Sequence, residues 1–314
     1  MLIRRSPLQF ALLVAVSLPI QSLVQTAEMP DWQKAAGGKM DFDFASVRLD
    51  ASDVIPPASF PLSANDGSPP SGGIFRADFQ LIVYIQFAYK IWPSREQTEA
   101  MLATLPEWAR TDRFLIEARY PNKPTNDQVR LMMQSLLADR FGLKAHFETR
   151  SMPVLAMTLA KPGRLGPRLQ PHVDSPECAD PVAPDAPLPK DRTLNFPFAC
   201  GTFQLRTLPD QTAEVGARNI TMALLASSLS TVGALGRPVI DQTGMTGRYD
   251  FNVIFSQEPT IAATSVSPST DARPDTPGTT FLEAVREQLG LRLERTNAPV
   301  QALVIDRIEK LTEN

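Results

Sequence analysis

Two passages set the fold of this chain: SLLADRFGLKAHFETRSMPVLAMTLAK, residues 135–161, and EAVREQLGLRLERTNAPVQALVIDRIEK, residues 283–310. Each reads as the end of an amphipathic helix, a glycine, and then alternating apolar and polar residues interrupted by a proline. Recurrence of one supersecondary pattern at long separation indicates an internal repeat.

Outward from these passages the correspondence extends. Thr125-x-x-Gln128 and Thr280-x-x-Glu283 are capping boxes that start the two helices, and Gly142 and Gly290 stand where a left-handed residue ends them. After Thr125, Val129, Met132, Met133, Leu136 and Leu137 recur at helical spacing and form one buried stripe, in which the methionines fill core. Earlier in each half a further helix opens at Asp78-Phe79-Gln80-Leu81, through Tyr89, and at Asn219-Ile220-Thr221-Met222, through Leu229. Short strands come next at DRFLIEA, from Asp112, and at GRYDFNV, from Gly247. Pro238 to Asp241 adds a hairpin strand before the latter. Beyond each second helix a two-stranded hairpin is expected, with Pro153 and Pro299 marking the return.

The predicted class is α+β, as two tandem duplicated small domains, each with two helices packed on short mixed sheets or hairpins. The units span residues 40–161 and 201–314. A linker over 162–200 separates them; its stretch from Pro162 to Pro197 holds nine prolines in 36 residues, which no uninterrupted helix or central strand tolerates. A Ser/Thr/Pro/Asp-rich insert over 256–280 is expected to be disordered, and the segment around Gly37 and Gly38 loosely ordered.

Arg4 and Arg5 precede an apolar run from Leu8 to Leu18 and a small-residue region through Ala27. This is the layout of a secretory signal peptide over residues 1–27, and the run is shorter than the roughly 20 apolar residues of a spanning helix. Its removal takes two arginines and no acids, shifting the net charge from -3 to -5. A mildly acidic chain without a basic run is a poor nucleic-acid partner. Periplasmic or secreted localisation is therefore expected, with no stable membrane span after cleavage. Cys178 and Cys200, the only cysteines, are expected to pair in that oxidising setting.

Catalytic signals are sparse. No HExxH, GxSxG or phosphate-binding glycine loop occurs, and the lone Gly72-Gly73 pair says nothing about phosphate. His146 falls on the polar side of a strand between Lys144 and Glu148, and His172 in the proline-rich stretch. The densest polar motif is GRPVIDQTGMTGRYDF, residues 236–251. Asp241 and Asp250 there suit an acid/base or metal pair, but Gly244, Gly247 and a capping Asp241 describe a turn more simply. Arg237 and Arg248 are placed to pair with these acids. Trp108 is expected under the strand that comes after it or, equally, exposed at a partner surface. Arg237, Asp241, Arg248, Tyr249, Asp250 and His146 are therefore the candidate binding residues. No catalytic residue, metal or cofactor is assigned.

The series FDFASVR near residue 42, the 135–161 passage, the NITM helix entry, GRPVIDQTGMTGRYDF and the ending VIDRIEKLTEN together resemble a soil-associated, acidobacterial secreted family, domain of unknown function 3738. The resemblance implies export and fold, not an activity. Some relatives carry such a region beside a membrane-embedded sensor-type metallopeptidase, which implies a sensory or interaction role. Each half also resembles the short N-terminal domain of secretins and TonB-dependent receptors, which binds other proteins in the periplasm.

Three functional classes are open: a non-enzymatic module binding a protein or peptide of the cell envelope, which these residues favour; an extracytoplasmic hydrolase using Asp241, Asp250 or His146; and a small-ligand sensor in the cleft between the units. What distinguishes the halves, namely the turn at Gly244 to Gly247 and the insert from Ser256 to Thr280 in the second and the region from Trp92 to Trp108 in the first, is where a partner is to be sought.

Overall fold

The structure, a computed structural model, describes residues 29–52, 58–59, 62, 73–120, 124–174, 178, 197, 200–256 and 279–311. The signal peptide, Gly72, most of the proline-rich stretch and nearly all of the Ser/Thr/Pro/Asp insert lie outside the described residues.

The first half begins with a short helix α1 (Asp31–Ala36), in place of the loosely ordered segment expected around Gly37. Strands β1 (Phe44–Asp50), β2 (Ile74–Gln80) and β3 (Arg113–Arg119) form an antiparallel sheet in the order β1-β3-β2. Helices α2 (Leu81–Ala88), α3 (Arg95–Thr104), α4 (Glu107–Thr111) and α5 (Asn126–Phe141) accompany it. Thr125 and Gln128 close the expected capping box, and Gly142 ends α5 at φ 56°. The stripe from Val129 to Leu137 is buried against Phe75, Phe87, Phe114 and Ile116. Trp108 lies edge-on to Phe114, at 6.3 Å, as expected, and stacks on Phe141. Tyr84 is buried, and its hydroxyl bridges the carbonyls of Ala77 and Phe114. Burial pushes its pKa well above the ordinary value.

The second half carries a four-stranded sheet in the order β5-β9-β7-β6, made of β5 (Leu169–Pro171), β6 (Phe203–Thr207), β7 (Thr212–Ile220) and β9 (Tyr249–Ser256). Strand β5 lies within the proline-rich stretch; Pro171 is tolerated because β5 is an edge strand. Alternate residues of β9, namely Tyr249, Phe251, Val253 and Phe255, are buried as the sequence period requires. Helix α6 (Met222–Val232) is capped by Thr221, whose hydroxyl accepts the Leu224 N–H. Helix α7 (Phe281–Ala284) opens with the Thr280–Glu283 capping box and runs on as a π-helical turn (Val285–Leu289) to Gly290. Gly166 and Arg168 donate backbone N–H groups to the carbonyls of Leu289 and Gln288, satisfying acceptors at this helix end.

The expected hairpins do not form. Strand β4 (Lys144–Leu159) continues through Pro153, and β10 (Leu291–Arg307) through Pro299, and the two pair antiparallel along their length as one long ribbon. The central pair is Ser151 with Pro299, at the same chain distance from Gly142 and Gly290. The β4 end near Gly142 and the β10 end near Arg307 enter the first core, through Leu143, Phe147, Leu303 and Ile305. The opposite ends enter the second, through Leu155, Met157, Leu291 and Leu293. Beyond β10 the Glu309 N–H returns to the Phe141 carbonyl at 2.7 Å. Strand β8 (Val239–Asp241) does not form a hairpin with β9; it lies parallel on β4, pairing Leu155 to Met157. The α+β class is as expected, with the ribbon shared between the two cores.

Cys178 and Cys200 form a disulfide with Cα atoms 5.4 Å apart, closing a separation of 22 residues. A loop of that size contributes about 3 kcal/mol on the chain-entropy model. Guanidinium unfolding of the Cys178→Ser/Cys200→Ser variant should show a loss of that order; a loss below about 1 kcal/mol would contradict it.

Candidate functional site

The proposed polar residues do not assemble into one constellation. Asp241 accepts both the backbone N–H and the hydroxyl of Thr243, at 2.9 and 2.7 Å, so it closes a turn. Gly244 and Gly247 then take positive φ. Asp250 accepts the Asn219 N–H at 2.8 Å and meets His172 Nδ1 at 2.7 Å, so its partner is a histidine and not an arginine. Arg248 instead donates to the Asn219 carbonyl at 2.6 Å, and the Tyr249 hydroxyl to the Thr246 carbonyl at 2.9 Å. The Arg237 carbonyl accepts the Ser230 hydroxyl. His146 stands apart. It shares β4 with Met157, the register partner of Asp241, and at about 3.3 Å per residue the two positions are roughly 35 Å apart. His172, which the proline-rich context hid, is nearly buried by the β5–β9 pairing.

His146 Nδ1 lies 2.8 Å from Asp306 and Nε2 3.0 Å from Glu148, so both ring nitrogens face acceptors. Only the imidazolium donates from both. The bond to Asp306, then that to Glu148, holds the His146 pKa above the ordinary 6.5. Stability from this arrangement is fully present below that unfolded-state value and lost as pH rises through the raised folded value. The urea midpoint of the native chain should therefore fall over this window relative to His146→Gln; parallel pH profiles would refute the assignment.

Among the described residues, a concave site lies elsewhere. A cleft of about 470 Å³ opens over the ribbon, walled by α3 from the first half and by α6 and β8 from the second. Trp92, Ala100, Met101, Val239, Ile240 and Leu303 give it an apolar lining, with Glu96 and Arg150 as its charged residues. Ser94 and Gln97 form the capping box that starts α3. The Glu96 N–H reaches the Gly236 carbonyl at 3.3 Å, tying α3 to the segment before β8. Trp92 packs edge-on to Phe203 at 5.7 Å, and Phe203 against Phe251, so the cleft wall is anchored in both halves. A smaller recess, about 340 Å³, adjoins Trp92 with Lys90, Thr221 and Arg248. Of the regions singled out from sequence, Trp92 to Trp108 supplies a cleft wall, from Trp92 to Thr104. The ribbon floor from Val300 to Ile305 was not foreseen, since its placement depends on strand pairing across the whole chain.

The helix ends on either side of this cleft are alike, but the segments beyond them differ. Lys90 and Ala234 take left-handed φ of 52° and 48°. The next N–H groups, of Ile91 and Leu235, reach back to the carbonyls of Gln86 and Ser230, both at 3.0 Å. These are the same helix-ending motif. The second half then lays β8 on β4, whereas the first half turns into α3, which runs beside β10.

The profile of a family described as a protein of unknown function, DUF3738, matches residues 83–308. The chain belongs to this family. No curated protein and no solved structure matches it. The matched span runs from within α2 to the residue after β10 and so takes in the cleft and the whole ribbon.

Proposed function

We propose that this member of DUF3738 is an exported, non-enzymatic binding module whose ligand enters the cleft over the ribbon. The observation that carries the reading is an apolar concavity of about 470 Å³ lined from both halves of the chain, a size and chemistry suited to binding. Asp241 closes a turn, Asp250 pairs with His172, and His146 sits with Asp306 and Glu148 far along the ribbon, so the three residues give a hydrolase no matching support. Export is supported by the signal-like N-terminus and the Cys178–Cys200 disulfide, and among the described residues no helix is long and apolar enough to cross a membrane. The envelope setting, the acidobacterial source and the likeness of each half to the short N-terminal domain of secretins belong to this proposal, and favour a protein or peptide ligand. The cleft volume alone also suits a small apolar ligand.

Ala100 is an exposed α3 residue on the cleft wall, so Ala100→Trp fills the space without disturbing a core. An environment-sensitive apolar dye should bind the native chain and raise its thermal midpoint. It should bind Ala100→Trp at least tenfold more weakly. Equal binding to a variant of unchanged circular dichroism would refute the cleft as the site.

A further inference from the structure

We propose that the outer edge of β10, from Gln301 to Ile305, is a strand-addition site for an extended, apolar and uncharged peptide segment, running parallel to β10 as β8 runs parallel to β4. The inference rests on the binding reading above and adds what is bound and by which groups.

Ladder geometry shows which backbone groups are open. On β4, the Leu155 N–H donates to Pro238 and the Met157 carbonyl accepts from Gln242, so the odd-numbered residues of β4 point toward β8. In an antiparallel ladder directly opposed residues share this sense. Leu155 opposes Arg295 and Met157 opposes Leu293 in a register unbroken to Ile305. The odd-numbered residues of β10 therefore direct their N–H and C=O groups outward. β10 is the edge of its sheet, and among the described residues no hydrogen bond reaches these groups at Gln301, Leu303 or Ile305. Pro299, which has no N–H, bounds the open stretch on one side, and the register shift between Ile305 and Arg307 bounds it on the other.

Symmetry of the ribbon shows what fits. Leu303 to Ile305 stand as far beyond Gly290 as Leu155 to Met157 stand beyond Gly142, and the latter are the three residues that β8 pairs. Beside β10 the corresponding segment of the first half is α3, and a helix has no edge to pair with a strand. The unfilled space is the cleft, whose lining runs along β10 from Val300 to Ile305. The occupant of the filled slot, Val239–Asp241 led by Pro238, is a short extended segment with two branched apolar side chains. Charge agrees with it: the charged residues of the lining, Glu96 and Arg150, are one acid and one base, so the cleft carries no net charge to select an ionic ligand. Strand addition of this kind draws affinity from main-chain bonds and specificity from pockets for alternate side chains.

The test uses the full chain and a capped synthetic peptide with the Pro-Val-Ile core of residues 238–240 between Gly and Ala flanks. Saturable binding, read by Trp92 fluorescence, should slow amide exchange at Gln301, Leu303 and Ile305 at least tenfold. Ala302 and Val304, already paired with β4, should not change. Methylating the peptide backbone nitrogens should reduce affinity at least tenfold. So should Gln301→Pro, which removes an outward donor at an exposed position without breaking the β4 ladder. Peptide binding without the odd-residue protection, or undiminished by methylation and by Gln301→Pro, overturns strand addition. So does absence of peptide binding while the apolar dye still enters the cleft, and in each of these cases the binding reading survives. If neither peptide nor dye binds, both fall.

Discussion

A chain ended at Lys161 should not fold, although it contains every helix and sheet strand of the first half. Its core includes Leu303, with Ile305, Ile308 and Leu311 packed against it. These four side chains arrive on and after β10. Each apolar side chain of this size contributes about 1.5–3 kcal/mol when fully buried, and three of the four are only partly buried. Their combined loss is still on the order of 5 kcal/mol, comparable to the whole stability of an ordinary domain. The cut also leaves the 16 residues of β4 without a partner strand. Residues 201–314 alone should fail for the reciprocal reason, lacking Met157 and Leu169, both buried in the second core. Near-ultraviolet circular dichroism and urea titration of the separate fragments should show no cooperative transition. Mixing the two halves, with residues 162–200 retained on one, should restore native signal, and the intact chain should unfold in one step. A sigmoidal transition in the isolated first half would sink the shared-ribbon account.

Gly166→Ala should destabilise the chain strongly, because the added Cβ meets backbone on two sides. A Cβ at residue 166 would lie 2.3 Å from the Gln288 carbonyl oxygen and 2.5 Å from the Gly290 nitrogen, both backbone atoms. Backbone at a capped helix end has no rotamer by which to yield. Gly166 also donates to Leu289 at 2.9 Å, so moving the 166 segment away forfeits that bond and uncovers the end of α7. Overpacking typically costs about 1–3 kcal/mol and a lost buried hydrogen bond about 1–3 more. We expect a loss of roughly 3–5 kcal/mol by urea unfolding. Gly163→Ala serves as the control, because a Cβ there meets nothing within 4 Å. It carries only the strain of positive φ, about 1–2 kcal/mol. Equal effects at the two positions would refute the close-packing explanation.

Pro153 and Pro299 read in sequence as turn residues, and both instead lie within continuous strands. Their nitrogens point away from the partner strand, where the ladder asks for no donor, so neither proline breaks it. A two-residue alternation looks the same in a hairpin and in a straight strand, and neither pattern nor propensity distinguishes them. The same holds for Pro238 to Asp241, which is strand-like in sequence whether it pairs with β9 or, as here, with β4. His172 was obscured by its proline-rich neighbourhood, and its burial comes from pairing between Leu169–Pro171 and the distant β9.

By itself the sequence determined the features whose energetics are local. These are the capping boxes at Thr125 and Thr280, the left-handed stops at Gly142 and Gly290, the buried stripe of α5, the alternation of β9 and the α+β class, each legible within a few residues because the groups that satisfy one another are neighbours in the chain. Tertiary structure alone decided that β4 and β10 pair with each other, that each serves both cores, and that α3 leaves an open edge beside the cleft. Strand pairing is fixed by contacts between residues nearly 150 positions apart in sequence, and no local periodicity carries that information.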